Sequence, residues 1–145
     1  MTLRRDALRW SIGCFLVTAV ILAYWLSWFV HRSLVASDTS AVYLGFERTF
    51  PAPDAWLASC LILGGIALRR RSSSAVLWLL MAAGAGGYLF AIDVAYDLQH
   101  GIWSKGGNGL VELLINVVTL VLSMAIARWT WVHRTGLLNG QQENA

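Results

Sequence analysis

The stretch ALRRRSSSAVLWLLMAAGAGGYLFAIDVAYDLQH, residues 67–100, decides the fold. It opens with the end of one apolar run, turns through Arg69, Arg70, Arg71 and three serines, then enters a second run from Ala75 to Val94. At about 1.5 Å of rise per residue, about twenty helical residues cover the roughly 30 Å of a bilayer's hydrocarbon. Three arginines in a tight loop mark that loop as cytoplasmic, because basic residues are retained on that side. The run before them therefore travels inward and the run after them outward.

Working outward from this hairpin, two further apolar runs appear. Trp10 to Val30 holds 21 residues without a charge, too long for the hydrophobic part of a signal peptide. Gly109 to Ala127 holds 19. The run before the hairpin, Ala55 to Leu68, is short, but Pro53 and Asp54 extend it, since proline and an acid suit a first helical turn. The expectation is an all-α integral membrane protein, a four-transmembrane-helix bundle with both termini cytoplasmic. Its spans fall at about 10–31, 53–69, 74–97 and 108–131. Residues 1–136 form one domain, and 137–145 read as a disordered polar cytoplasmic tail. The segment 31–53 carries Val42, Tyr43, Leu44, Phe46 and Phe50, and is expected along the membrane interface.

Composition supports this class. The chain has 145 residues, of which 57% are hydrophobic and 13% charged, about half the charge of a soluble domain. So short a chain cannot bury that much apolar surface in a water-soluble core. The net charge of +3 does not point to nucleic acid: Arg4, Arg5, Arg9, Arg69, Arg70, Arg71, Arg128 and Arg134 all fall at one side of the expected bundle, which topology explains. Arg32, Arg48 and Lys105 fall at the other. Trp10, Trp28, Trp56, Trp78, Trp103, Trp129 and Trp131 lie near span ends, as an aromatic belt would. Cys14 and Cys60 sit inside apolar runs and read as small buried hydrophobes. The localisation expected is a bacterial-type cell inner membrane, multi-pass, with membrane lipids as partners.

The acids are one-sided. Asp38, Glu47, Asp54, Asp93, Asp97 and Glu112 are outer in this topology, and only Asp6 and Glu143 inner. Charges near a bilayer's interior are costly, so they mark candidate sites. Asp93, Asp97 and His100, at i, i+4 and i+7, share a helix face beside Tyr96. Asn108, Glu112, Asn116, Thr119 and Ser123 fall within an arc of about 80°. Asp54, Asp93, Asp97, Glu112 and His100 are expected to converge at the outer mouth, with Arg48 as counter-ion and Glu47-Arg48 as part of a lid. Ala83, Gly87, Ala91 and Ala95 form a small-residue stripe on the opposite side of the third span, suited to another helix of the bundle, a second copy or another subunit.

Three functions fit these residues. One is an outward-facing acidic cavity binding or transporting a cation, a protonatable small molecule or a lipid headgroup, because a desolvated acid needs a counter-charge. Another is an intramembrane acid–base enzyme on a lipid-like substrate, with Asp93, Glu112 and His100 as catalytic candidates. In topology alone, that layout is similar to the emopamil-binding, sterol-isomerase-like membrane proteins, which also build an acidic cavity among a few helices; no residue motif is shared. The last is an accessory subunit of a larger complex. Nucleotide, zinc-protease and serine-hydrolase motifs are absent, so no cofactor is indicated, and the acids with one histidine would suit several divalent metals without selecting one.

Overall fold

The computed structural model describes residues 2–139. Five α-helices account for most of them: α1 (Thr2–Val30), α2 (Ala41–Glu47), α3 (Pro51–Arg69), α4 (Ser74–His100) and α5 (Gly107–Asn139). Short 3-10 turns at Arg32–Leu34 and Ile102–Ser104 complete the path, and no strand occurs among the described residues. Four stretches are long and apolar enough to cross a membrane: Arg4–Val30, Ala41–Arg69, Ser74–His100 and Gly107–Asn139.

The boundaries have local causes. Ser40 caps α2, its hydroxyl accepting from the Tyr43 N–H at 3.3 Å. The chain then turns at Arg48–Phe50, and Pro51 begins α3, where its missing N–H costs nothing. Gly101 ends α4 in the left-handed conformation (φ 61°), its N–H bonded to the Asp97 carbonyl. At the opposite end Arg71 takes the left-handed position (φ 55°) where glycine would normally close a helix. Two expectations change here. Helix α5 continues beyond 131 through Leu137 and Leu138 to Asn139, so these residues belong to it rather than to a tail; 140–145 lie outside the described residues. Within residues 31–53, expected along the membrane interface, α2 turns inward and buries Tyr43 and Glu47 against the bundle.

Helices pack in chain order, α1 on α3, α3 on α4 and α4 on α5. In hydrocarbon the drive to associate comes from close packing rather than from leaving water. A glycine sits at each of these contacts. A β-carbon on Gly65 would lie 3.1 Å from the Phe15 ring of α1, one on Gly64 2.9 Å from Leu79 of α4, and one on Gly86 within reach of the Ser123 hydroxyl of α5. No comparable packing joins α1 to α5. They meet through Trp10 and Trp129, whose rings are 5.2 Å apart. Four helices thus make an open C rather than a closed ring, with a seam between the first and the last.

Within the bundle the small-residue stripe is not the packed face of α4. Ala83 is buried, but Ala91 and Ala95 are exposed and a β-carbon on Gly87 would meet nothing within 4 Å. The face of α4 that meets its neighbours is instead Ala75, Leu79, Ala82, Gly86 and Leu89. The aromatic belt is also incomplete: Trp28 is only 1% exposed, with the Arg32 guanidinium 5.2 Å from its ring centre. Cys14 and Cys60 are free and buried, as the apolar setting implied.

The end of the bundle near the α3–α4 turn is held by polar bonds between helices. The Ser11 hydroxyl donates to the Gly65 carbonyl at 2.9 Å, and Arg69 donates to Ser11 at 3.1 Å while its guanidinium lies 5.0 Å from the Phe15 ring centre. These bonds satisfy buried groups that lipid could not.

Candidate functional site

A cavity of about 470 Å³ follows the seam. Leu16, Val20 and Ile21 of α1 line one side, and Leu114, Val118 and Leu122 of α5 the other, with α3 and α4 behind. Leu16, Val20, Leu114 and Val118 are all also exposed on the outside of the helices, so the cavity opens laterally between them. Its walls are apolar over most of their length. From Glu112 to Ile126 they follow fifteen residues of α5, about 21 Å of helix.

One end of the cavity is acidic. Glu47 of α2, Asp93 of α4 and Glu112 of α5 each place a carboxylate oxygen within 4.8 Å of the other two. Glu47 and Glu112 are more than nine-tenths buried, at 5% and 8% exposure. The Glu112 Oε1 receives a long contact of 3.5 Å from the Tyr43 hydroxyl, while its buried Oε2 has no hydrogen-bond partner among the described residues. Because Tyr43 and Glu47 lie at i and i+4 on α2, one short helix supplies both. Asp54 lines the same cavity but is already engaged, accepting from the Trp25 indole at 2.8 Å.

Behind this cluster stands a polar frame. Asp97, 1% exposed, accepts at Oδ2 from the Trp103 indole at 2.8 Å and from the Asn116 amide at 2.9 Å. The turn that starts at Gly101 is what brings Trp103 back onto Asp97. Asn116 also lines the cavity, so Asp97 orients a cavity residue without lining the cavity itself. Glu112, Asn116 and Ser123 are buried on one face of α5, and Thr119 also lines the cavity, as the stripe implied.

The expected convergence is therefore met in part and redrawn in part. Asp93 and Glu112 come together, Asp54 stands near them, and Glu47, expected in the lid, joins them from α2. Arg48 is exposed and makes no salt bridge among the described residues, so it is not the counter-ion. His100 is exposed; its Nδ1 lies 2.9 Å from the Tyr96 carbonyl and its ring stacks on Tyr96, which stacks on Phe46. It does not line the cavity, and an acid–base pairing of His100 with Asp93 or Glu112 has no geometry here. Trp25, Tyr43 and Trp103, the donors that organise the acids, were not singled out as site residues; no spacing in the sequence ties Trp25 to Asp54, 29 positions away.

A clasp joins the loops above the acids. Lys105 donates to Asp38 Oδ2, and Asn108 donates to the Ala36 carbonyl at 2.8 Å. The Lys105 ammonium, with the N–H groups of Ser40 and Thr39, lowers the Asp38 carboxyl to about 2. Its folded value lies below the unfolded one of about 3.9. The clasp should thus be fully formed above about pH 4 and be lost as pH falls through about 2. A carbon-detected NMR titration should show that midpoint for Asp38, moving up to ordinary aspartate values in Lys105→Ala. An unchanged midpoint in the variant would rule the clasp out.

No protein-family model matches the chain, and comparison with curated proteins and with solved structures finds no match. Fold and site together define a class all the same: an all-helical protein with four helices able to cross a membrane, wrapped as an open C around an acid-tipped apolar cavity.

Proposed function

We propose that this is a multi-pass protein of the cell membrane, with cytoplasmic termini, that binds a lipid-like amphiphile with a cationic head. The arginine distribution supports the orientation. The observation that carries the binding reading is the cavity itself. It is a long apolar slot, open sideways between α1 and α5, with three carboxylates gathered at one end. The walls match a hydrocarbon tail. The tip matches a positive head, since buried anions in an apolar setting need a counter-charge. A simple hydrated ion would have no use for the apolar length, and a neutral tail no use for the acids. The volume lies within the usual range for small-molecule sites.

The test is extraction of bound lipids after purification in mild detergent, with native mass spectrometry of the same sample. The wild-type chain should carry an amphiphile at near-stoichiometric level. Val118→Trp, which fills the slot from a position already facing outward, should lose at least about nine-tenths of it while remaining folded and monodisperse. Equal occupancy in the two chains, or none in either, would remove the proposal.

A further inference from the structure

The acidic tip also specifies what kind of positive head it takes. We infer that Glu47, Asp93 and Glu112 form a three-point site for a primary ammonium, the head of a long-chain amine; this rests on the slot holding the tail. The distances select among cations. Three oxygens no more than 4.8 Å apart leave a point within about 2.8 Å of each of them. Charge-assisted N–H···O bonds to carboxylates measure about 2.7–2.9 Å. A primary ammonium has three N–H donors, the same number as the carboxylates offered, and a single bond left over to continue into the slot.

Other cations fit less well. A quaternary ammonium has no donor, and its methyl carbons stop about 3.3 Å or more from an oxygen, which keeps its nitrogen well outside such a triangle. Sites for that head are built from aromatic faces. Magnesium keeps several waters and zinc favours nitrogen and sulfur ligands, and neither has a tail to fill the slot. Calcium takes six to eight oxygens and would leave the apolar slot unused.

A cluster of acids alone would not establish a site. The second observation is Glu112: it is 8% exposed, lines the cavity, and its buried Oε2 has no partner among the described residues. A buried oxygen left unmatched costs free energy that a ligand N–H would recover. Glu47 and Asp93 face the same space from two other helices, so a bound ammonium would also tie α2, α4 and α5 together. Mutual repulsion of neighbouring carboxylates is relieved by one positive charge held among them.

Three probes with the same tail separate the parts: dodecylamine, dodecyltrimethylammonium and dodecanol, each titrated into the chain in nanodiscs at pH 7, where the amine is protonated. Dodecylamine should bind at least about tenfold more tightly than either of the others. Glu112→Gln, Asp93→Asn and Glu47→Gln should each erase most of that advantage, with unchanged helical circular dichroism reporting that the variants are folded. Calcium or manganese chloride should not displace the amine. Equal binding of the trimethylammonium probe, displacement by either metal, or an amine preference that survives all three substitutions would overturn the ammonium site. In those cases dodecanol binding sensitive to Val118→Trp would leave the slot standing. If no dodecyl probe binds, the slot reading falls too.

Discussion

Replacing Asp97 with leucine should cost about 3 kcal/mol of stability, because a buried and a half-buried N–H donor lose their acceptor at once. Trp103 and Asn116 both donate to Asp97 Oδ2, and the carboxylate is 1% exposed, so water cannot take its place. Leucine has the same branched outline and leaves no cavity, so lost hydrogen bonds are the cause. Asp97→Asn keeps an amide oxygen for the same two donors and should cost about 1 kcal/mol. Thermal unfolding in detergent is the measurement; for a chain of this length the leucine variant should melt roughly 10 °C lower. A leucine variant as stable as the parent would mean that the frame around Asp97 contributes nothing to the fold.

Alanine at position 109 should be the most damaging small substitution in the chain. A β-carbon there would collide with the Ile102 carbonyl oxygen and sit 3.1 Å from the Trp103 Cα, both backbone atoms of the turn that opens α5. Neither can rotate away, so the start of α5 must move off the turn that holds Trp103 on Asp97. Overpacking of this kind costs about 1–3 kcal/mol, and the upper part of that range applies where backbone must shift. Gly86→Ala makes a useful contrast. Its β-carbon would also collide with another atom, but that atom is the Ser123 hydroxyl, while the Ser123 β-carbon stays 3.6 Å away. Rotation of one hydroxyl relieves it, so the loss should stay below about 1 kcal/mol, and Ser123→Ala should remove it. The same unfolding measurement decides between them: if Gly86→Ala proves the worse of the two, the distinction between yielding and unyielding neighbours is wrong.

What could be read from residues 67–100 was the part governed by solvent. Apolar length and the arginine turn mark helices whatever their neighbours are, and the polar face of α5 repeats with the helix itself, so Glu112 and Asn116 were legible as inward residues. Relations between helices were not. Which side of α4 meets its neighbours depends on helix order, and the stripe at Ala91 and Ala95 turned out to face outward while Gly86 took the close contact. Glu47 shows the same limit at shorter range. Beside Arg48 it resembles half of a surface pair, yet adjacent residues on a helix point about 100° apart. Its true companion is Tyr43, one turn earlier, and both are buried. His100 fails for the complementary reason: it shares a stripe with Asp93, but lies past the end of the cavity and stacks on Tyr96.

The lateral opening between α1 and α5 bears on how occupancy would be governed. A guest entering sideways never has to dissolve in water on its way to the carboxylates. Its supply is then set by its mole fraction among the surrounding lipids, and added bulk lipid should dilute it as surely as added buffer dilutes a soluble ligand. An affinity quoted in molar units would change with the amount of membrane in the tube, whereas one quoted per lipid would hold constant.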